Sequence, residues 1–228
     1  MRRLFFCVLA FLLLSTTTCF SQQTDIRQFV VFGGYSYLHT PSLNLAQRGF
    51  NTDVGTNVRP WLSFGLDFSY FTGSSTLLPS YLNSATQARL AQLLPPGVPP
   101  SAVAVPYSSS TYEFQLGPQF NYRRLRKVTL FVRPALGLLH AKIQTNPSTA
   151  ATPLVKVLLA GKLSAADDAP FYGFGGGATW EIHPNFGLRA TVDFVHYNFF
   201  SNTLNGGRNS LRLSVGPKFS FGRNILEK

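Results

Sequence analysis

Cysteine, charged residues and long apolar runs are all scarce in this chain of 228 residues. Its two cysteines, Cys7 and Cys19, lie near the N-terminus, so the rest of the chain can form neither a disulfide nor a thiolate metal site. Charged residues make up 13% of the sequence, about half the share that is usual in soluble domains. Beyond the N-terminal segment no run of about 18 apolar residues occurs, which argues against membrane-spanning helices.

The N-terminal segment has the pattern of a secretory signal peptide. Two arginines precede an apolar stretch at residues 4–14, and small and polar residues follow it. We predict that residues 1–21 are a signal peptide cleaved after Ser21, and that residues 22–228 form one exported domain. A retained anchor helix and lipidation of Cys19 are the alternatives.

The chain is strongly basic, with a formal net charge of +11. A basic excess can indicate binding to nucleic acid. After an export signal, however, it favours contact with an anionic surface of the cell envelope. We therefore expect no nucleic-acid partner, and we interpret the basic stretch RRLRK at residues 123–127 as a solvated turn.

Large apolar residues alternate with small or polar ones through most of the remaining chain, as in LSFGLDFSYF at residues 62–71. This period of two is typical of β-strands that expose different faces to different environments. Eight such segments occur, at residues 27–38, 49–58, 62–71, 111–122, 128–140, 171–182, 187–197 and 209–221. A tilted strand needs about 9–11 residues to cross a bilayer, so most of these segments are long enough.

The connections between these segments alternate in length. Short connections lie at residues 59–61, 123–127 and 183–186, and long ones at residues 39–48, 72–110, 141–170 and 198–208. The alternation predicts an all-β fold: a transmembrane up-and-down antiparallel barrel of eight strands, with short periplasmic turns and long extracellular loops. Within the long loops, residues 81–94 are expected to form a short helix, and residues 151–168 either a helix or a hairpin.

The two faces of the predicted strands differ in charge. One face is apolar and uncharged, whereas the other is small or polar; only the first segment is apolar on both faces. Nine charged residues share the polar face: Asp53, Asp67, Glu113, Arg133, Glu181, Arg189, Asp193, Arg212 and Lys218. Buried charges need partners, so we expect a lumenal charge network in which Glu181 pairs with Arg189 and Asp193 with Arg212.

Aromatic residues and prolines occupy defined places in this pattern. Tyrosines and a tryptophan are expected to form belts at the two ends of the apolar face: Tyr70, Tyr112 and Tyr172 on the loop side, Tyr122 and Trp180 on the turn side. Pro118, Pro134 and Pro217 lie within predicted strands, where each removes one hydrogen bond of the ladder.

Several stretches resemble a known family: FVVFGGYSYL (29–38), GLDFSYFTG (65–73), YEFQLGPQF (112–120), PALGLLHA (134–141), GFGGGATW (173–180) and GLRATVDFVHYNF (187–199). Together with the strand rhythm, they resemble the outer-membrane protein A-like, porin-like eight-stranded barrels of Gram-negative bacteria. The resemblance implies a location in the outer membrane. It also implies a C-terminal signal for the barrel assembly machinery, formed by Ser214, Gly216, Phe219 and Phe221, although GRNILEK follows where the family usually ends.

Three functions are compatible with this pattern. The first is a structural or surface-interaction barrel whose loops bring cations to outer-membrane lipids and lipopolysaccharide: Arg89, Lys142, Lys156, Lys162 and Arg208. The second is a narrow pore for ions or small solutes, lined by the lumenal charges. The third is an enzyme that modifies lipid A. The charge distribution argues against a fourth, a soluble carrier with an apolar interior.

The enzyme hypothesis depends on His140 and His196, near the loop side of the apolar face, with Ser108–Ser110 or Ser201. No acidic residue is expected beside these histidines, so we predict no enzymatic activity. The four histidines are too scattered for a metal site. We expect no cofactor, and a monomer.

Overall fold

The computed structural model describes residues 23–94, 96–97, 99, 103–148, 155, 159 and 162–227, so the predicted signal peptide lies outside the described residues. Eight strands account for most of this part of the chain: β1 (Arg27–Thr40), β2 (Leu45–Arg59), β3 (Leu62–Leu77), β4 (Val105–Tyr122), β5 (Val128–Thr145), β6 (Ser164–His183), β7 (Phe186–Tyr197) and β8 (Arg208–Asn224). One α-helix, α1 (Ser84–Leu93), lies between β3 and β4.

The strands form a closed barrel in which each strand pairs with the next along the chain, and β8 pairs with β1. All eight pairings are antiparallel. Closure leaves no strand edge with unpaired backbone groups. The predicted eight-stranded up-and-down barrel is therefore confirmed.

The predicted long connection at residues 39–48 is wrong. β1 and β2 continue through most of it, with Thr40 paired to Leu45, and only a short 3-10 turn at Pro41–Leu43 and the left-handed Asn44 (φ 45°) join them. Two of the polar residues in this stretch, Thr40 and Gln47, point into the barrel. The Gln47 side chain, for example, donates to Thr111 Oγ1 at 3.0 Å.

The other connections follow the predicted alternation. On one side, called here the turn side, the connections are short, at residues 60–61, 123–127 and 184–185. On the other, the loop side, the long connections are residues 78–104, 146–163 and 198–207. All three long loops are shorter than predicted because the flanking strands extend beyond their apolar segments.

Helix α1 lies within the range predicted for it. Its N-terminus is capped by Asn83, whose side-chain oxygen accepts a hydrogen bond from the Thr86 backbone at 2.8 Å. Leu90 is buried against the barrel mouth.

Among the described residues, no helix combines the length and the hydropathy needed to cross a membrane. Half of the segment predicted as a helix or a hairpin, residues 151–168, lies outside the described residues, and its last five residues belong to β6.

The strand prolines lie where the hydrogen-bonded ladder is interrupted. Pro118 of β4 and Pro134 of β5 fall in the one stretch of that pair without a paired register, between Leu116–Leu136 and Phe120–Val132. Pro217 lies in the corresponding gap between β8 and β1. A residue without an N–H is tolerated there because no ladder bond is lost.

The outer wall of the barrel is apolar, as predicted. Large hydrophobic side chains from all eight strands are exposed. The largest exposed fractions are those of Leu116, Leu138 and Phe174, at 65%, 66% and 66%. Tyr112, Tyr122, Tyr172 and Trp180 are also exposed on this wall. At the loop-side end, the Tyr70 and Tyr112 rings lie 4.7 Å apart and the Tyr172 and His196 rings 5.1 Å apart.

Close approach of the neighbouring backbone requires glycine at several positions of β6, among them Gly173. A Cβ on Gly173 would lie 1.9 Å from the Phe194 carbonyl oxygen of β7, whereas a Cβ on the inward-facing Gly117 would meet nothing closer than 3.4 Å. We expect Gly173→Ala to lower the free energy of unfolding by about 1–3 kcal/mol, because the strands must separate. Gly117→Ala should change it by less than about 0.5 kcal/mol. Urea unfolding of both variants measures the difference, and equal effects would contradict this account.

Candidate functional site: an ion-paired layer across the lumen

The nine predicted charged residues all lie on inner faces of the strands, where all but Glu181 are buried. They fall into two groups. Arg133, Asp53, Asp67, Asp193, Arg212, Glu113 and Arg189 form a layer across the middle of the lumen, called here the ion layer. Glu181 and Lys218 form a separate pair nearer the turn side.

Arg133 of β5 connects three carboxylates. Its guanidinium meets Asp193 of β7 side-on, with Nε at 3.0 Å from Oδ1 and Nη2 at 3.0 Å from Oδ2. Nη1 donates to Asp53 at 3.1 Å, and Nη2 also reaches Asp67 at 3.2 Å. The planar fork of arginine suits this arrangement, because it can present several donors to different carboxylates at once.

Arg212 of β8 completes the layer from another side of the barrel and is fully buried. It donates to Asp193 at 2.9 Å, to Asp67 at 3.1 Å and to Glu113 at 3.2 Å. Ser69 Oγ and Gln115 Oε1 accept further hydrogen bonds at 2.9 and 2.8 Å. Because buried charges are costly when they lack partners, this density of contacts is what allows the ions to remain inside.

Asp53 and Asp67 are directly opposite each other in the β2–β3 pair. Like charges in that position destabilise a sheet. Here Arg133 bridges the two carboxylates, and Arg189 approaches Asp53 at 3.6 Å. The carboxylate in the middle of LSFGLDFSYF therefore belongs to a shared site with arginines from β5 and β8, which are distant in sequence.

One of the two predicted ion pairs is confirmed. Asp193 and Arg212 are directly opposite in the β7–β8 register and bond at 2.9 Å. The pair Glu181–Arg189 is wrong. A register shift beside the short turn places Gly187 opposite Glu181 and Thr179 opposite Arg189.

Both residues of the wrong pair have other partners. Glu181 binds Lys218 Nζ at 2.7 Å. Arg189 donates from Nε to Thr179 Oγ1 at 3.3 Å and lies over the Phe131 ring, 4.9 Å from its centroid. Cation–π contacts of this kind are not visible as charge pairs in a sequence.

Neutral residues of the ion layer were missed. Asn51 Nδ2 donates to Asp67 Oδ1 at 2.7 Å, and Ser69 and Gln115 contact Arg212. The signal that could have found them is their position in the strand: each lies two residues from a charged residue of the same strand and therefore points to the same face of the sheet.

The loop-side part of the lumen departs from the expected polar interior. It is filled by buried apolar side chains from the strands, including Phe71, Leu139, Phe171 and Val195. Above them, residues 78–94 and 198–207, called here the loop cap, cover the mouth. The two segments of the cap are joined by backbone hydrogen bonds, from Asn83 to Thr203 at 3.0 Å and from Asn205 to Tyr81 at 2.9 Å.

The turn-side end of the lumen is open and lined by polar and mostly basic residues. A cavity of about 490 Å³ opens there, beside Arg123, Lys218 and Glu181. Arg123 donates to the Pro60 carbonyl and to Asn57 Oδ1, both at 2.9 Å. Burial lowers the pKa of Arg123 to about 10, against the opposing effect of Glu181, so its guanidinium stays charged at neutral pH.

The histidines of the outer wall have partners that differ from the expectation. Asp168 lies beside His140, with Oδ1 at 2.7 Å from Nδ1, so the expected absence of an acid there is wrong. His196 Nδ1 contacts Asn209 at 2.8 Å. Within the part of the chain that is described, no hydrogen bond joins either histidine to Ser108–Ser110 or Ser201. The same residues contain no group of three His, Cys, Asp or Glu that could hold a metal ion.

Arg208 also departs from its predicted role as a surface cation. It is buried at the barrel rim, 3% exposed, with Nη2 donating to the Asn205 carbonyl at 2.7 Å and its guanidinium over the Phe199 ring. Arg89, Lys142 and Lys162 are exposed on the loop side, and Lys156 lies outside the described residues.

In the predicted assembly signal, Phe219 and Phe221 are exposed on the outer wall, Ser214 is buried, and β8 continues beyond Phe221 to Asn224.

Comparison with solved structures identifies barrels of the same architecture. Neisserial surface protein A aligns over 85% of this chain and 97% of its own, at 14% identity and a TM-score of 0.54. The chain shares its fold with this protein. The fold implied by the resemblance to eight-stranded outer-membrane barrels is thereby confirmed.

Two further structures align over similar lengths with lower TM-scores. The outer membrane protein OprG from Pseudomonas aeruginosa aligns over 89% of this chain and 99% of its own, at 9% identity and a TM-score of 0.47. Ail, the attachment invasion locus protein of Yersinia pestis, aligns over 84% and 97%, at 17% identity and a TM-score of 0.43. No protein-family model and no curated protein matches the chain.

Removal of one arginine tests the ion layer. We expect Arg212→Met to lower the free energy of unfolding by about 3–5 kcal/mol, because Asp67, Asp193 and Glu113 lose a shared partner while they remain buried. The matched control is Lys142→Met, an exposed cation at the loop-side end of β5, for which we expect less than about 0.5 kcal/mol. Urea unfolding in detergent micelles measures both; a small loss for Arg212→Met would show that the layer is not structural.

Proposed function

We propose that this protein is an exported, integral barrel of the outer membrane whose lumen is closed by the ion layer and whose loops make its contacts at the cell surface. The observation that carries the proposal is the inversion of the usual arrangement of a soluble protein. Charged residues are bound to one another inside the barrel, and large apolar side chains cover its outside.

The dimensions of the apolar wall support a membrane location. Tyr112 and Tyr122 are exposed towards the two ends of β4, ten residues apart. Ten residues of strand span about 33 Å, which a tilt of about 40° reduces to about 25 Å of height. This is about the height of the apolar band of outer-membrane barrels, which aromatic belts flank on both sides. An exposed apolar surface of this extent would make a protein in water aggregate.

The ion layer supports a closed lumen. Arg133 connects β5 to β2, β3 and β7, and Arg212 connects β8 to β3, β4 and β7. Six of the eight strands are thus joined through the middle of the barrel. An ion on its way through would have to separate several of these contacts, and the apolar layer and the loop cap lie above them.

The loop side supports the surface role. Arg89, Lys142 and Lys162 are exposed there, and no charged side chain interrupts the central apolar band of the outer wall in the described residues. Exposed cations close to the outer interface are attracted by anionic headgroups, such as those of lipopolysaccharide. We propose such lipids as partners of the loop side.

Conductance separates this proposal from the alternative of a narrow pore. The protein, shown to be folded by heat-modifiable migration in gels, is inserted into planar bilayers at neutral pH. We expect no steady conductance above that of the bilayer alone, because the ion layer is complete in the folded barrel. Reproducible unitary steps from the wild-type protein would instead support the pore.

A charge on the outer wall tests the membrane location. Leu136 lies near the middle of the apolar band and Val128 at its turn-side end, both on the outer face of β5. We expect Leu136→Arg to lower the free energy of unfolding in lipid vesicles by about 2–4 kcal/mol, and Val128→Arg by at most about 1 kcal/mol. Leu136→Ala controls for the loss of the leucine. The same loss at both depths would contradict a bilayer around this wall.

A further inference from the structure

An apolar cavity lies under the loop cap, above the ion layer. It has a volume of about 80 Å³ and lies between the rim of the barrel, with Leu45, Val105 and Ile143, and the cap, with Leu82, Leu90 and Phe199. The proposed function does not use this cavity, because neither lumen closure nor headgroup attraction needs an empty apolar space.

The lining of the cavity defines the chemistry of a ligand. Among the described residues, no charged side chain lines it, and the polar side chains of this described lining are the hydroxyls of Tyr107, Ser109, Thr145 and Thr203. A charged or strongly polar ligand would lose its hydration there without compensation. An uncharged hydrocarbon group would instead gain by leaving water.

The size of the cavity is suited to a small group. Dry cavities lined by leucine, isoleucine and phenylalanine are known to take up xenon or benzene, at volumes of about 150 Å³. At about 80 Å³, this cavity has room for xenon or for the end of an alkyl chain. A ring the size of benzene requires a modest outward movement of the cap.

The cavity is closed towards the turn side. Directly below it on the inner faces of β5 and β6 lie Ala141, Leu139 and Ala169, each at most 4% exposed, and below these lies the ion layer. A group that enters under the cap is therefore retained and cannot pass through the lumen.

We propose that this cavity is a binding site for a small uncharged hydrocarbon group, which enters from the loop side. The group is either a free hydrocarbon molecule or the end of a lipid acyl chain, since both present the same surface to the lining. The proposal requires the folded barrel but not a closed lumen, so its failure and that of the proposed function are distinguishable.

Methyl NMR of the full barrel in nanodiscs tests the site. The barrel carries labelled leucine and valine methyl groups, the lipids are deuterated, and xenon and then toluene are added. We expect saturable shifts at Leu43, Leu90 and Val105, which line the cavity, and only linear, non-saturating changes at Leu136, which faces lipid. The proposal is overturned if neither xenon nor toluene gives saturable shifts at the cavity methyls and the lipid experiment described below also detects no occupant.

A matched pair of variants on β6 locates the effect. Ala165 lines the cavity, and its neighbour Ala166 is exposed on the opposite face of the strand. We expect Ala165→Phe to fill the cavity and abolish the saturable shifts, and Ala166→Phe to keep them. Heat-modifiable migration reports whether each variant folds, and Ala165→Leu replaces Ala165→Phe if the larger side chain prevents folding. Shifts that persist in the folded, filled variant would overturn the assignment.

A second arm distinguishes the two sources. With protonated lipids and no added hydrocarbon, nuclear Overhauser effects from acyl-chain ends to the Leu90 and Val105 methyls would identify a lipid chain as the natural occupant. If these effects are absent while toluene or xenon saturates the site, the site takes free hydrocarbons. If neither arm detects an occupant, the cavity is a packing defect and the proposal is wrong.

Discussion

The need to neutralise charge inside a closed wall governs the rest of this structure. Asp53 and Asp67 lie side by side in the β2–β3 ladder, and the guanidinium of Arg133 reaches both of them from β5 through the lumen. Arg133 and Arg212 meet this need and, in doing so, connect strands that are not neighbours in the sheet. The backbone ladder closes the barrel around its circumference, and the ion layer connects it across its diameter.

The alternation of side chains made most of the fold predictable. A period of two assigns each residue to one face, so the apolar outer wall, the inward position of all nine charged residues and the eight-strand count follow from the sequence. The pair Asp193–Arg212 was also predictable, because the two residues lie directly opposite each other in neighbouring strands. The same logic failed at Glu181, where a register shift next to the turn moves Arg189 away from it.

Features that depend on distant strands or on strand ends were not predictable in this way. Alternation shows that Arg133 points inward, but not that it reaches β2, β3 and β7. It also cannot distinguish a strand that continues from one that ends when the inward residues are polar, as at Gln47, because a lumen tolerates the residues that loops prefer. The apolar loop-side lumen was missed for a related reason: inward Phe71 and Leu139 look the same in sequence as outward ones.

The four-residue connection between β1 and β2 gives the rim of the barrel an uneven height. The loop cap, residues 78–94 and 198–207, extends over the mouth, whereas the first connection stays level with the strand ends. Ser42 at this low point lines an open polar cleft with Ser80, Tyr81 and Asn205 of the neighbouring loops. The loop side therefore has an open polar cleft beside the loop cap, and a partner would have to extend a side chain into this cleft in order to contact Ser42.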